Sequence, residues 1–169
     1  MRLLAALIIT LPLCAQVVDS AENGFTVKYS VAVQATPEAV YRAAVSQIDR
    51  WWSEDHTFSG NAANLSIDGQ ANGCFCEKLP GGGSVRHLTV VYAEPGKMLR
   101  MTGGLGPLQS MAVTGTMTWN FVKTADGTRF DLTYAVSGYS PGGMKGMAAP
   151  VLGVLKEQVD RLKAFVEKK

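Results

Sequence analysis

Phe25, Val27, Tyr29, Val31 and Val33 are apolar, whereas Thr26, Lys28, Ser30 and Gln34 beside them are polar. A period of two sustained this long requires a β-strand with one wet face and one buried face. The strand then meets Ala35-Thr36-Pro37-Glu38. Thr36 has the side chain of a helix N-cap, Pro37 suits the first helical position, and Glu38 places an acid in the first turn. Val40, Ala43, Ala44 and Ile48 continue as one apolar stripe, which ends at Asp49-Arg50-Trp51-Trp52. A strand that turns into a helix within two residues must pack both elements against the same core.

Downstream, residues 53–64 read as loop, and strands are expected at about 65–68, 74–79, 84–93 and 98–103. Pro80-Gly81-Gly82-Gly83 and Glu94-Pro95-Gly96-Lys97 punctuate them. Met111, Val113, Met117, Trp119 and Phe121 alternate with threonines and Asn120. Ala125-Asp126-Gly127-Thr128 then turns the chain into Phe130, Leu132, Tyr134 and Val136. Two long alternations joined by Asp-Gly predict an antiparallel hairpin. The period then changes: Met144, Met147, Ala148, Val151, Leu155, Val159, Leu162 and Val166 follow a helical stripe. Lys156 with Asp160, and Glu157 with Arg161, are spaced for i,i+4 pairs, and Pro150 either kinks this helix or starts its regular part. The expectation is an α+β domain over residues 22–169, with a curved antiparallel sheet wrapped around one long C-terminal helix. That helix is the only element large enough to cover the apolar face of the sheet.

The residues before this domain have another character. Arg2 followed by Leu3–Leu13, broken by Thr10 and Pro12, resembles a secretory signal peptide and is too short to span a bilayer. Cleavage is expected after Ala15 or nearer Ser20 or Ala21, giving a periplasmic or secreted protein with no transmembrane segment in the mature chain. Cys14 invites lipidation, but Leu13 is bulkier than such sites accept. A net charge of +2, with no basic run interleaved with aromatics, argues against nucleic acid as a partner.

Cys74 and Cys76 remain in Gly73-Cys74-Phe75-Cys76-Glu77. Residues two apart in a strand share a face at a separation of roughly 6–7 Å, awkward for a disulfide. Two buried thiols are therefore the first reading, a disulfide of neighbours the second and a metal site the last. Only His56 and His87 could complete such a site, so no metal and no cofactor are expected.

Several segments together resemble the START-like (SRPBCC) superfamily, and most closely its polyketide cyclase and heat-shock ATPase activator-homology branch. They are Ala35-Thr36-Pro37-Glu38, Trp51-Trp52, Val90-Val91 to Pro95-Gly96-Lys97-Met98-Leu99-Arg100, and Gly104-Leu105-Gly106-Pro107-Leu108. Gly127-Thr128 to Gly138-Tyr139 and the closing Val154-Leu155…Gln158…Arg161-Leu162 complete the pattern. The likeness covers about residues 25–166. It implies a helix-grip fold enclosing a cavity between sheet and terminal helix, lined by Trp51, Trp52, Phe58, Met101, Leu105, Trp119, Tyr134, Met144 and Met147. The ordinary alternative for each of these residues is plain core packing.

No nucleophile elbow, phosphate loop or dinucleotide fingerprint is present. Acid–base chemistry needs only one or two positioned groups, and the candidates are His87, His56 and Glu77, with Asp55 beside His56. Arg100 and Tyr134 could orient a carbonyl or an anionic head group. Both faces of residues 84–92 carry apolar side chains, so the sequence does not say which face His87 takes. Three functions compete: an exported binding protein for a small hydrophobic molecule, a cyclase- or dehydratase-like enzyme, and a chaperone activator. Export removes the third, because no chaperone ATPase is expected as a partner outside the cytosol.

Overall fold

A computed structural model describes residues 15–168. Eight strands form one antiparallel sheet: β1 (Ala15–Ala21), β2 (Gly24–Val33), β3 (Leu65–Ile67), β4 (Cys74–Lys78), β5 (Ser84–Glu94), β6 (Met98–Thr102), β7 (Ala112–Thr124) and β8 (Gly127–Tyr139). Their order across the sheet is β1-β2-β8-β7-β6-β5-β4-β3. Helices α1 (Pro37–Ser46) and α2 (Ile48–Trp51) follow β2, and α3 (Ala148–Glu167) closes the chain. This is the helix-grip architecture, a curved open sheet around a long C-terminal helix.

Local signals build the elements as the sequence implies. Thr36 caps α1, its hydroxyl oxygen accepting from the Ala39 N–H at 3.3 Å, with Pro37 opening the helix. In the β7–β8 hairpin, register runs from Ala112↔Tyr139 to Thr124↔Gly127. Gly127 sits at φ +143°, and a Cβ there would strike the Val33 carbonyl oxygen, so the turn requires glycine. The inner face stacks Met101, Met117 and Tyr134 in one register row and Leu99, Trp119 and Leu132 in the next. Helix α3 presses Leu155, Val159 and Leu162 onto this face, and burying each such side chain stabilises by about 1.5–3 kcal/mol.

Four features differ from the sequence reading. First, β1 pairs with β2 from Ala15↔Tyr29 to Ala21↔Gly24, ahead of the domain boundary expected at residue 22. Cleavage after Ala15 would take only the first residue of this strand, whereas cleavage near Ser20 or Ala21 would remove most of it. The apolar stretch Leu3–Leu13 and Cys14 lie outside the described residues. Second, Cys74 and Cys76 are half-buried and joined as a disulfide, not two buried thiols. Their Cα atoms are only 5.4 Å apart, closer than a fully extended strand sets them, where β5 inserts one extra residue opposite β4. Third, α3 begins at Ala148, after a 3₁₀ turn at Lys145–Met147, so Met144 and Met147 precede the helix. Pro150 lies in the first turn of α3, where its missing N–H forfeits no helical hydrogen bond. Fourth, Lys156 pairs with Asp160 as expected, but Glu157 reaches His56 at 3.2 Å and Arg161 donates to the Trp51 carbonyl at 2.9 Å.

That fourth difference ties the loop after α2 to α3. The Ser53 N–H donates to Oε1 of the buried Gln158 at 2.8 Å, and Trp52 Nε1 donates to the His56 carbonyl at 3.1 Å. Trp51 turns the other way, donating through Nε1 to the Ala43 carbonyl at 3.0 Å. Adjacent tryptophans thus serve different layers.

Candidate functional site

Helix α3 packs most closely on β2 and β1, at one end of the strand order, while β4 and β5 lie near the other. The space left between them is a cavity of about 410 Å³. Phe75 of β4 and His87 of β5 form one wall; Pro150, Val151, Val154 and Leu155 of α3 face them. The rim comes from two loops, Trp52 to Phe58 and Leu105 to Leu108. Phe58 is 54 % exposed, a large apolar side chain held at the mouth.

The wall contains one buried polar pair. Glu77 is 1 % exposed and His87 is 4 % exposed, and His87 Nε2 lies 3.0 Å from Glu77 Oε2. The same carboxylate accepts backbone N–H groups from Phe58 at 3.1 Å and Ser59 at 2.5 Å. Burial pushes the Glu77 carboxyl up, but the hydrogen bonds from Ser59, Phe58 and His87 outweigh it and hold the group below the usual carboxylate range. Burial also pushes His87 below its ordinary value, against the opposing pull of Glu77. A carboxylate facing a neutral imidazole is the consistent state of the pair, with Nε2–H as the donor. Phe75 packs against the imidazole at a centroid distance of 5.0 Å, and Phe58 stacks on it at 5.8 Å.

A β-bulge delivers His87 to this wall. Phe75 pairs with Leu88 and Cys76 with Arg86, so His87 is the extra residue of β5. The insertion breaks the alternation, and His87 and Leu88 are both buried although they are consecutive.

The residues expected to line a cavity divide into two groups. Trp52, Phe58, Leu105, Tyr134 and Met147 border it, as do His87, His56 and Asp55. Trp51, Met101, Trp119 and Met144 are buried in the core outside its lining. Glu77 stands behind His87. Tyr134 is not free to orient a ligand: its hydroxyl accepts from the Leu105 N–H at 3.0 Å and donates to the Gly103 carbonyl at 2.8 Å. Burial pushes its pKa up to about 12. Arg100 is on the opposite face of β6, donating to Thr118 Oγ1 at 3.1 Å, so it cannot join Tyr134 at a head group. Phe75, Pro107 and the α3 residues Pro150, Val151, Val154 and Leu155 also line it; an apolar helical stripe looks the same whether it meets a core or a cavity. Among the described residues no group of three His, Cys, Asp or Glu side chains could hold a metal ion.

The family model described as polyketide cyclase / dehydrase and lipid transport matches residues 24–167. The chain belongs to this family. Solved structures share its fold. A protein from Mesorhizobium loti is 19 % identical with a TM-score of 0.63, covering 85 % of this chain and 98 % of that one. A putative uncharacterized protein from Rhizobium leguminosarum is 16 % identical with a TM-score of 0.65, over 85 % and 95 % of the two chains. A conserved protein of unknown function from Enterococcus faecalis is 14 % identical with a TM-score of 0.63, over 91 % and 77 %. Among curated proteins no sequence match is found. The polyketide cyclase / dehydrase and lipid transport family is a set of START-like (SRPBCC) ligand-binding domains, and this chain is one of them. Within that domain, Leu105 to Leu108 contributes to the cavity rim, and Val154-Leu155…Gln158…Arg161 supplies cavity wall and loop ties from one face of α3.

Proposed function

We propose that this domain is an exported binding protein for a small hydrophobic molecule held in the cavity between β4, β5 and α3. The observation that carries the reading is the lining itself. Trp52, Phe58, Phe75, Leu105, Val151 and Leu155 offer apolar and aromatic contact, and a single buried polar pair stands in the wall. A concave apolar site with a few fixed polar groups is what small-molecule recognition needs. Export is supported by the leader-like Leu3–Leu13 and by the Cys74–Cys76 disulfide, which persists in oxidising compartments. Cleavage after Ala15 fits best, because β1 is then retained as the edge strand.

The test is native mass spectrometry of the protein purified from the periplasm or medium of its host. A non-covalent small-molecule adduct is expected, together with a mature N-terminus at Gln16. A bare protein, recovered with Leu3–Leu13 still attached from the cytoplasm, contradicts the reading. An acid–base enzyme is the second reading, favoured only by the buried Glu77–His87 pair. Turnover that disappears in His87→Ala would establish it.

A further inference from the structure

The Glu77–His87 pair leaves one atom over. His87 Nε2 is committed to Glu77, and Glu77 is committed to three donors. His87 Nδ1 is buried and meets no hydrogen-bond partner among the described residues. An ionised carboxylate can only accept, so the imidazole proton resides on Nε2 and Nδ1 presents a lone pair. A buried acceptor without a donor is rare in folded proteins and calls for an explanation.

The surroundings supply one. His87 borders the cavity, and it is the extra residue of a β-bulge, a device that re-aims a side chain at a site. The other titratable groups around the space come from separate elements. Asp55 and His56 project from the rim loop, where Asp55 is exposed and His56 is occupied by Glu157 of α3. Tyr134 of β8 spends its hydroxyl on Gly103 and Leu105. Thr57 is half-buried at the rim. Among the described residues that border the cavity, His87 Nδ1 is the buried side-chain polar atom left with no partner at all.

We infer that His87 is the polar anchor of the cavity, accepting through Nδ1 a hydrogen bond from a hydroxyl group (alcohol, phenol or enol) on an otherwise apolar ligand. This rests on the binding-protein reading and specifies its ligand class. Glu77 is a positioning residue: it fixes the tautomer that leaves Nδ1 as the acceptor, much as second partners orient catalytic and metal-binding histidines. Phe58 and Phe75 exclude water from the bond, and burial holding the imidazole neutral is in keeping with the acceptor role. A site built this way discriminates by what it leaves unpaired. A ligand lacking the hydroxyl leaves the buried lone pair without a donor, whereas one that carries it satisfies both partners.

The test uses two probes of nearly the same shape, 1-naphthol and 1-methylnaphthalene, on the mature protein. Trp52 fluorescence reads affinity, and ¹⁵N-histidine NMR reads the His87 ring. The free protein is expected to show the Nε2–H tautomer. 1-Naphthol should bind about 10- to 100-fold more tightly than 1-methylnaphthalene, although it is the less hydrophobic of the two. It should also move the Nδ1 resonance, which 1-methylnaphthalene leaves in place. His87→Phe should bring 1-naphthol down to the affinity of 1-methylnaphthalene, and Glu77→Gln should erode the preference through the tautomer. If both probes bind equally and Nδ1 does not move, or if free His87 carries its proton on Nδ1, the anchor is refuted while the binding cavity stands. If neither probe binds, the binding-protein reading fails and the anchor with it. The NMR arm is read on the unmutated chain, so it does not depend on either variant folding.

Discussion

Replacing Glu77 with glutamine removes a buried charge while keeping its shape, and its cost can be worked from three contacts. The carboxylate accepts from the Phe58 N–H, the Ser59 N–H and His87 Nε2. Glutamine has one oxygen to offer, and its NH₂ must then face at least one of these donors. Hydrogen bonds to a charged acceptor contribute about 1.5–3 kcal/mol each, and an unmet buried donor costs about 1–3 kcal/mol, so Glu77→Gln should destabilise by about 2–4 kcal/mol at neutral pH. The sign of the pH dependence follows from the depressed carboxyl. Its stabilisation is fully present above the ordinary value of 4.5 and is lost as pH falls through the lower value of the folded protein. Glutamine does not titrate, so the gap between the two proteins should be widest at neutral pH and close below about pH 4.5. Urea unfolding followed by circular dichroism at a series of pH values measures it. A gap under about 0.5 kcal/mol at neutral pH, or one that stays constant down to about pH 3, refutes the account of the pair.

Other elements make their own demands. Tyr134→Phe strips the clamp from the Leu105 N–H and the Gly103 carbonyl, and should cost about 1–3 kcal/mol. Faster hydrogen exchange at the Leu105 amide would locate the loss at the rim. Leu162→Ala, in the α3 core outside the cavity, should lower stability by about 2–5 kcal/mol in denaturant unfolding while leaving probe affinity little changed. Paired Cys74→Ser and Cys76→Ser changes should cost no more than about 1.5 kcal/mol, because the disulfide closes only a very short loop. A thermal shift far larger than this on reduction would show that the bridge supports more than its own strand.

The fold was legible wherever one period ran unbroken. Strand β2, the β7–β8 hairpin and the stripe of α3 each repeat one side-chain spacing along their length, and burial follows that spacing. Strand β5 was not legible, because it carries two register shifts, one at His87 and one between Val90 and Tyr92. Each shifts the alternation by one, so apolar residues occupy both apparent faces and the position of His87 is hidden. β1 was invisible for a different reason: Ala15–Ala21 has no alternation of its own and becomes a strand by pairing with β2. The candidate lining was half legible. Met117, Trp119 and Tyr134 share the inner face, but only the reach of α3 across the sheet decides which of them meets empty space. Trp51 and Trp52 show the same limit, since neighbouring residues at a helix end leave in directions that the sequence does not specify.

The central claim is that the space between β4, β5 and the start of α3 receives a ligand while the adjoining core stays closed. Methionine-methyl NMR separates the two directly, because Met147 borders the cavity whereas Met101, Met117 and Met144 are buried outside its lining. On titration with 1-naphthol, the Met147 methyl should move in a saturable way while the other three hold their positions. No movement at Met147, or an equal drift of all four methyls, would contradict the account.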